Sequence, residues 1–303
     1  MRYINNFLKL NLLLGFLLAI GAALGFSLKA IFVKLSYGYG VDAITLLMLR
    51  MAFSLPFFVV IAFFEERKLK DPLPMKTMLL IALMGLIGYY LSSTLDFIGL
   101  QFISAGLERL ILFAYPTLVL LISVLFLGKK IYKEAMIACV LSYSGIGLAV
   151  MHDFSFAGEH VLLGSSLIFM ATLSYAVFLV GSGELIPRVG SRRFAAYAMI
   201  VSCLAVFLQF FLLRDVGVLM NQAKEVYAYA LAMAIFSTVI PSFLLAAAIQ
   251  RIGASYTSIM GFFGPIATIA IAALVLNEAV SSMQILGAVL IIGGVFALGL
   301  KKS

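Results

Sequence analysis

Hydrophobic and polar positions in this chain do not alternate; they separate into long apolar runs joined by short polar ones. A helix needs roughly 17–25 apolar residues to cross a hydrocarbon core of about 30 Å. Ten runs qualify: 11–35, 43–64, 77–98, 104–127, 134–151, 161–183, 194–213, 227–249, 255–276 and 281–300. A membrane barrel would instead show alternating segments of about ten residues. The pattern predicts an all-α integral membrane protein with ten transmembrane helices. The first run is longer than the roughly 7–15 apolar residues of a signal-peptide core, and no small-x-small cleavage site follows it. It reads as a retained helix.

Composition supports lipid as the solvent. Of the 303 residues, 64% are AVILMFWYC and only 11% are charged, and the mean hydropathy is +1.16. Soluble domains carry about 25% charge. A soluble multidomain enzyme, a disordered chain and a disulfide scaffold are excluded. Cys139 and Cys203 each sit inside an apolar run and read as buried thiols. The net charge of +8 comes from short basic clusters between apolar blocks, so no basic face tracks a phosphate backbone and nucleic acid is not a partner.

Those clusters orient the chain through the excess of Lys and Arg in cytoplasmic loops. Fifteen fall on one side, in the N-terminal residues, the loops near 65–76, 128–133, 184–193 and 251, and the C-terminal residues. Only Lys34, Arg214 and Lys224 fall on the other, while Lys29, Arg50 and Arg109 lie inside runs. Both termini are expected in the cytoplasm.

Sliding the chain by 149 positions aligns its halves without a gap. Leu14-Gly15 meets Leu163-Gly164, Phe26 meets Tyr175, and Gln101, Ile103 and Ala105 meet Gln250, Ile252 and Ala254. Phe113 and Pro116 meet Phe262 and Pro265, and Leu127 meets Leu276. The expected division is residues 1–151 and 152–303, five helices each. Five is odd, so the second copy must be inverted, a plan of secondary transporters with the site near the midplane. Pro116 and Pro265 fall at the middle of corresponding runs, where each is expected to interrupt its helix beside that site.

Ten helices in two inverted five-helix repeats resemble the EamA-type transporters of the drug/metabolite transporter superfamily, along the whole chain. Each repeat of that family opens with a Trp-Gly-rich stretch and often a Lys. Here Ala22-Ala23-Leu24-Gly25-Phe26-Ser27 and Val33-Lys34-Leu35 fit, with Phe26 for the usual Trp, and Leu173-Ser174-Tyr175 is the second copy. A central Pro followed by an apolar run ending in Gly-Glu is matched by Pro116 to Gly128-Lys129 and by Pro265 to Asn277-Glu278. Lys129 departs from the pattern. Arg50 fits a frequent Arg early in the second helix. The resemblance implies a bacterial inner-membrane exporter of amino acids and related metabolites.

Charges within membrane runs cost about 2.5–3.5 kcal/mol each and need a reason. The second half has none, so the scaffold does not require them. Counted inward at 1.5 Å per residue, Lys29, Arg50, Glu108 and Arg109 share one layer about 6–10 Å deep. Glu108 is expected to pair with Lys29 or Arg50, as the single carboxylate at that level. Lys29, Glu108 and Arg109 are candidate substrate ligands, and Arg50 reads as a structural charge. Tyr115, seven residues beyond Glu108 on the same face, joins Phe26, Tyr89, Tyr175 and Phe262 as the aromatic lining of a small-molecule pocket. Tyr89, Ser92 and Asp96 form a polar stripe.

Catalytic and metal signatures are missing. His152 and His160 are the two histidines, in one loop, and no Gly-x-Ser-x-Gly elbow or phosphate-binding loop occurs. The expected function is gradient-driven transport of a small molecule without a cofactor, with a coupling proton as a candidate second cargo. A channel, a sensor or a membrane enzyme without a recognisable motif are the alternatives.

Overall fold

The computed structural model describes residues 2–67, 73–128, 133–157 and 159–299. Lys68, Lys70, Lys129, Lys130, Lys301 and Lys302, which belong to the orienting charges, lie outside them. Every described element is helical. In chain order they are α1 (Arg2–Tyr37), α2 (Ala43–Glu66), α3 (Met75–Gly85), a π-helical segment (Leu86–Leu91) and α4 (Ser92–Gly99). Then come α5 (Ala105–Leu112), α6 (Tyr115–Leu127), α7 (Lys133–Ala157), α8 (Glu159–Val189) and α9 (Ser191–Leu213). The chain continues with α10 (Gly217–Met220), α11 (Lys224–Ala234), a second π-helical segment (Ile235–Val239), α12 (Ile240–Met260), α13 (Phe263–Val275) and α14 (Ser282–Gly299).

Seven stretches are long and apolar enough to cross a membrane unaided: Leu10–Tyr37, Ala43–Glu66, Met75–Gly99, Ala105–Phe126, His160–Val189, Ser191–Leu213 and Lys224–Met260. The protein is an integral membrane protein. The count differs from the ten expected runs for local reasons. Gly253, at φ +76° and ψ +165°, interrupts the long stretch after Ile252, within the polar gap between the eighth and ninth runs. A second break just before Phe263 leaves α13 short. α7 covers the fifth run and α14 the tenth.

The outer surface is what lipid demands. Leu79, Leu83, Leu204, Leu208, Phe211 and Leu212 stand exposed, while Phe58, Phe97, Phe178, Phe194 and Phe210 are buried completely or nearly so. Helices from the two halves interleave. α1 packs on α12 and α13, α2 on α9 and α11, α8 on α4, α5 and α6, and α7 on α14. Small residues set the closest approaches: Gly25 on α1 meets the ring of Pro241, and Gly145 on α7 meets the Gly287 carbonyl of α14.

The two π-helical segments begin 149 positions apart. Each inserts one extra residue into its helix, which rotates the turns beyond it and commonly marks a functional site. In the first, the Ser174 hydroxyl donates to the Ile87 carbonyl at 2.6 Å, supplying a partner where the helical ladder is disturbed. Gly88 there lies directly against the base of the Phe178 ring, which in turn packs on Tyr89 with centroids 4.7 Å apart. A Cβ at Gly88 has no room. Gly88→Ala is expected to lower stability by about 1–3 kcal/mol through overpacking, read as a lower unfolding temperature in detergent; an unchanged temperature would show that Phe178 can retreat freely.

Candidate functional site

A cavity of about 100 Å³ lies between the halves, walled by α1, α2, α4, both π-helical segments, α5, α6, α8, α9 and α12. Its lining follows the 149-position offset: Phe26 is answered by Tyr175, Tyr89 by Thr238, Ser93 by Ser242 and Leu112 by Gly261. Charge breaks the correspondence. Arg50 is answered by Met199 and Asp96 by Leu245. All charged lining therefore comes from the first half, and the second half offers Ser237, Thr238, Ser242 and Thr257.

The centre of the charged wall is Lys29. Its Nζ lies 2.5 Å from Asp96 Oδ2 and 3.0 Å from Glu108 Oε1. Glu108 is thus not the single carboxylate of its layer. Asp96 joins it on the same ammonium, and Arg50 does not pair with Glu108. Asp96 also borders the cavity, but its Oδ1 is enclosed by protein and its carboxyl contacts that of Glu108. Glu108 is completely buried and sits behind Lys29, away from the cavity wall.

α5 holds Glu108 and Arg109 through an unusual start. Ser104 caps it, accepting from the Leu107 amide at 3.1 Å. Glu278, from beyond α13, accepts from the Ala105 and Gly106 amides at 3.0 and 3.3 Å. A carboxylate at a helix N-terminus meets both free amides and the positive end of the dipole. Ala105 and Leu107 are fully buried, so α5 begins inside the protein.

Arg109 is 8% exposed. Its Nη2 donates to Ala23 O and Ser27 Oγ over 3.4 and 3.5 Å, long contacts for a guanidinium. Arg50 is 4% exposed, donates to Ser93 Oγ at 3.0 Å and lies 4.7 Å from the Phe97 ring centroid. Among the described residues neither guanidinium has a carboxylate within ion-pair distance. Two buried guanidiniums without an ion-pair contact on one cavity are an arrangement that an anion completes.

Of the residues singled out from sequence, Phe26, Lys29, Tyr89, Arg109, Tyr115 and Tyr175 line the cavity, and so does Arg50. Tyr115 and Tyr175 meet edge to face at 5.5 Å. Glu108 and Phe262 do not line it. Phe262 stacks on Phe263 at 4.1 Å and packs with the Leu107, Leu110 and Ile111 cluster. The seven-residue spacing from Glu108 to Tyr115 fails as a facing argument because the helix breaks at Phe113 and Ala114. Pro116 and Pro265 do not kink continuous helices. Pro116 is the second residue of α6 and Pro265 the third of α13, in first turns where no backbone bond is lost. The breaks precede them, and those breaks put Leu112, Tyr115 and Gly261 on the cavity. Sequence reasoning missed Ser237, Thr238, Ser242 and Thr257, although the repeat register pointing from Tyr89 to Thr238 could have found one of them.

A family model described as the EamA-like transporter family matches residues 13–151 and again 162–300. The chain is 29% identical over 276 residues to the uncharacterized transporter YcbK of Bacillus subtilis (strain 168), covering 89% of this chain and 86% of that one. It is 22% identical to the uncharacterized transporter YetK of the same organism, with coverages of 75% and 70%. A crystal structure of 16% identity superposes with a TM-score of 0.70 over 94% of this chain and 97% of the other; that likeness concerns the fold.

Proposed function

The chain belongs to the EamA-like transporter family, and from that premise we propose that it is a secondary transporter exporting a small polar metabolite, an amino acid or close relative, across a bacterial plasma membrane. It works by alternating access at the cavity, between two inverted repeats of five helices, with both termini in the cytoplasm. The protein moves its cargo without chemistry on it, a reading supported by the transporter relatives.

One observation carries the choice of cargo. The cavity is bordered by the Lys29–Asp96 ion pair and by two guanidiniums outside ion-pair distance of any described carboxylate, Arg50 and Arg109. That excess of positive charge suits the carboxylate of an amino acid, and Phe26, Tyr115 and Tyr175 suit an apolar side chain beside it. The inverted-repeat reading draws support from the twofold family match, from the register of the π-helical segments and from the exchanged pairing of the halves. α1 with α12 corresponds under the offset to α8 with α4, and α11 with α2 to α3 with α9. The fifteen-to-three distribution of Lys and Arg supports the orientation, and the outward direction follows the family resemblance.

Counterflow tests the proposal. Purified protein in liposomes preloaded with each of the twenty proteinogenic L-amino acids should accelerate entry of the same labelled amino acid for at least one of them. A channel equilibrates label without acceleration, and that result removes the carrier.

A further inference from the structure

We propose that the protein holds an anionic phospholipid in a second, lateral pocket, with the lipid phosphate on Arg192 and Arg251 and the acyl chains against α1 and α2. The site does not depend on the transport reading. Only its leaflet, the cytoplasmic one, follows from the proposed orientation.

The pocket measures about 1000 Å³ and lies where α2 ends and α9 begins, with α1 and α12 as its other walls. It shares no lining residue with the charged cavity. Its chemistry changes along its length. Leu18, Ile61, Phe243 and Leu244 make an apolar throat, and Arg192, Arg193 and Arg251 stand at the other end with Glu65 and Gln250. On α12 the seven residues from Leu244 to Arg251 cover about 10 Å, so one molecule reaches from the charges into the throat. Leu14 and Phe64 also line the pocket and are exposed, which continues the apolar wall onto the lipid-facing surface. A soluble metabolite has no use for that wall. An amphiphile uses both ends.

Three guanidiniums here meet two carboxylates. Arg193 is saturated: its Nη2 lies 2.6 Å from Glu66 Oε1, which also accepts from Arg193 Nε and the Tyr197 hydroxyl. Arg192 reaches Glu65 only at 3.6 Å and is otherwise exposed. Arg251 has no carboxylate within ion-pair distance among the described residues, and its Nη1 donates to the Ala247 carbonyl one turn back at 2.9 Å. Packing fixes the base of that side chain, because a Cβ on Gly15 of α1 would stand 3.0 Å from the Arg251 Cβ. α9 adds charge of the same sign. Gly190, at φ +88°, is the whole link from α8 and brings no side chain to cap α9, so the first-turn amides and the helix dipole add positive potential beside the arginines. The repeat does not demand this charge: at the 149-position offset Arg192, Arg193 and Arg251 correspond to Ala43, Ile44 and Phe102. Basic pockets between membrane helices at the cytoplasmic surface suit anionic headgroups.

The chain contains no Trp, so a single indole can report on the pocket. Phe64→Trp puts it on the pocket wall. Leu208→Trp puts it at another exposed position, toward the far end of α9. In detergent micelles, brominated phosphatidylglycerol should quench Phe64→Trp at a several-fold lower mole fraction than brominated phosphatidylcholine, with no such preference at Leu208→Trp. Adding Arg192→Gln or Arg251→Gln to Phe64→Trp should each cut the preference about fivefold, the contribution of one basic residue near anionic lipid. Unbrominated phosphatidylglycerol should reverse the quenching, whereas glycerol phosphate at the same concentration should not. Absence of a preference at Phe64→Trp, or an equal one at Leu208→Trp, overturns the site. A preference that survives both arginine substitutions overturns it too. Reversal by glycerol phosphate assigns the arginines to a free anion and overturns the lipid. Should the arginine variants fail to fold, native mass spectrometry of the unmodified protein decides: selective retention of phosphatidylglycerol supports the site, and equal retention of both lipids overturns it.

Discussion

Arg109→Gln is expected to weaken ligand binding by roughly 30- to 4,000-fold, because truncating one partner of a buried charge pair costs about 2–5 kcal/mol. The effect should be specific to ligands with a carboxylate, so decarboxylated amines would bind the variant and the native protein alike. Folding should survive, since the hydrogen bonds of Arg109 are two long ones, to Ala23 and Ser27, and Gln still fills part of the space against Gly264. Arg50→Gln is the informative contrast. Arg50 has a full hydrogen bond to Ser93 and the Phe97 ring beneath it, so its loss falls more on packing than on affinity. Equilibrium binding to purified protein separates the two. Native affinity in Arg109→Gln would show that its guanidinium faces no ligand.

Lys29→Met should be the most destabilising single change in the charged wall. It strands Asp96 and Glu108, 2% and 0% exposed, without the ammonium that holds both. Breaking a buried pair from one side costs about 3–5 kcal/mol, and the acids must then take up protons or open the structure. The expected result is a sharp fall in unfolding temperature in detergent. Adding Asp96→Asn and Glu108→Gln to Lys29→Met should restore most of it, because the stranded charges are gone. If the single variant unfolds at the native temperature, the triad does not hold α1, α4 and α5 together.

Much of the architecture is written in the apolar runs, since lipid leaves the backbone no choice but helix. The 149-position register is legible too, because whole helices had to be matched between the halves. What escaped the sequence is depth. Counting residues from the ends of runs assumes that every helix starts at the membrane surface. α5 starts inside, its turn tucked in and capped by Glu278 from distant sequence, so Asp96 joins Glu108 across that turn although the count placed only Lys29, Arg50, Glu108 and Arg109 in one layer. The breaks at Phe113–Ala114 and before Phe263 were signalled by Pro116 and Pro265 as interruptions. The geometry still differed from a kink, because a proline that begins a helix leaves its neighbours facing another way. Phe262 was lost from the pocket for that reason.

The extra residue in the Leu86–Leu91 segment also gives the chain a kind of phase. A helix turns about 100° per residue, so deleting one position there would restore an ordinary pitch and swing α4 by that angle. Asp96 would leave Lys29, Ser93 would leave Arg50, and Phe97 would come out from under the guanidinium. The fold could persist, since the apolar run would still be long enough to span lipid. A one-residue gap at this segment is therefore expected to mark a chain that shares the scaffold but not this charged wall.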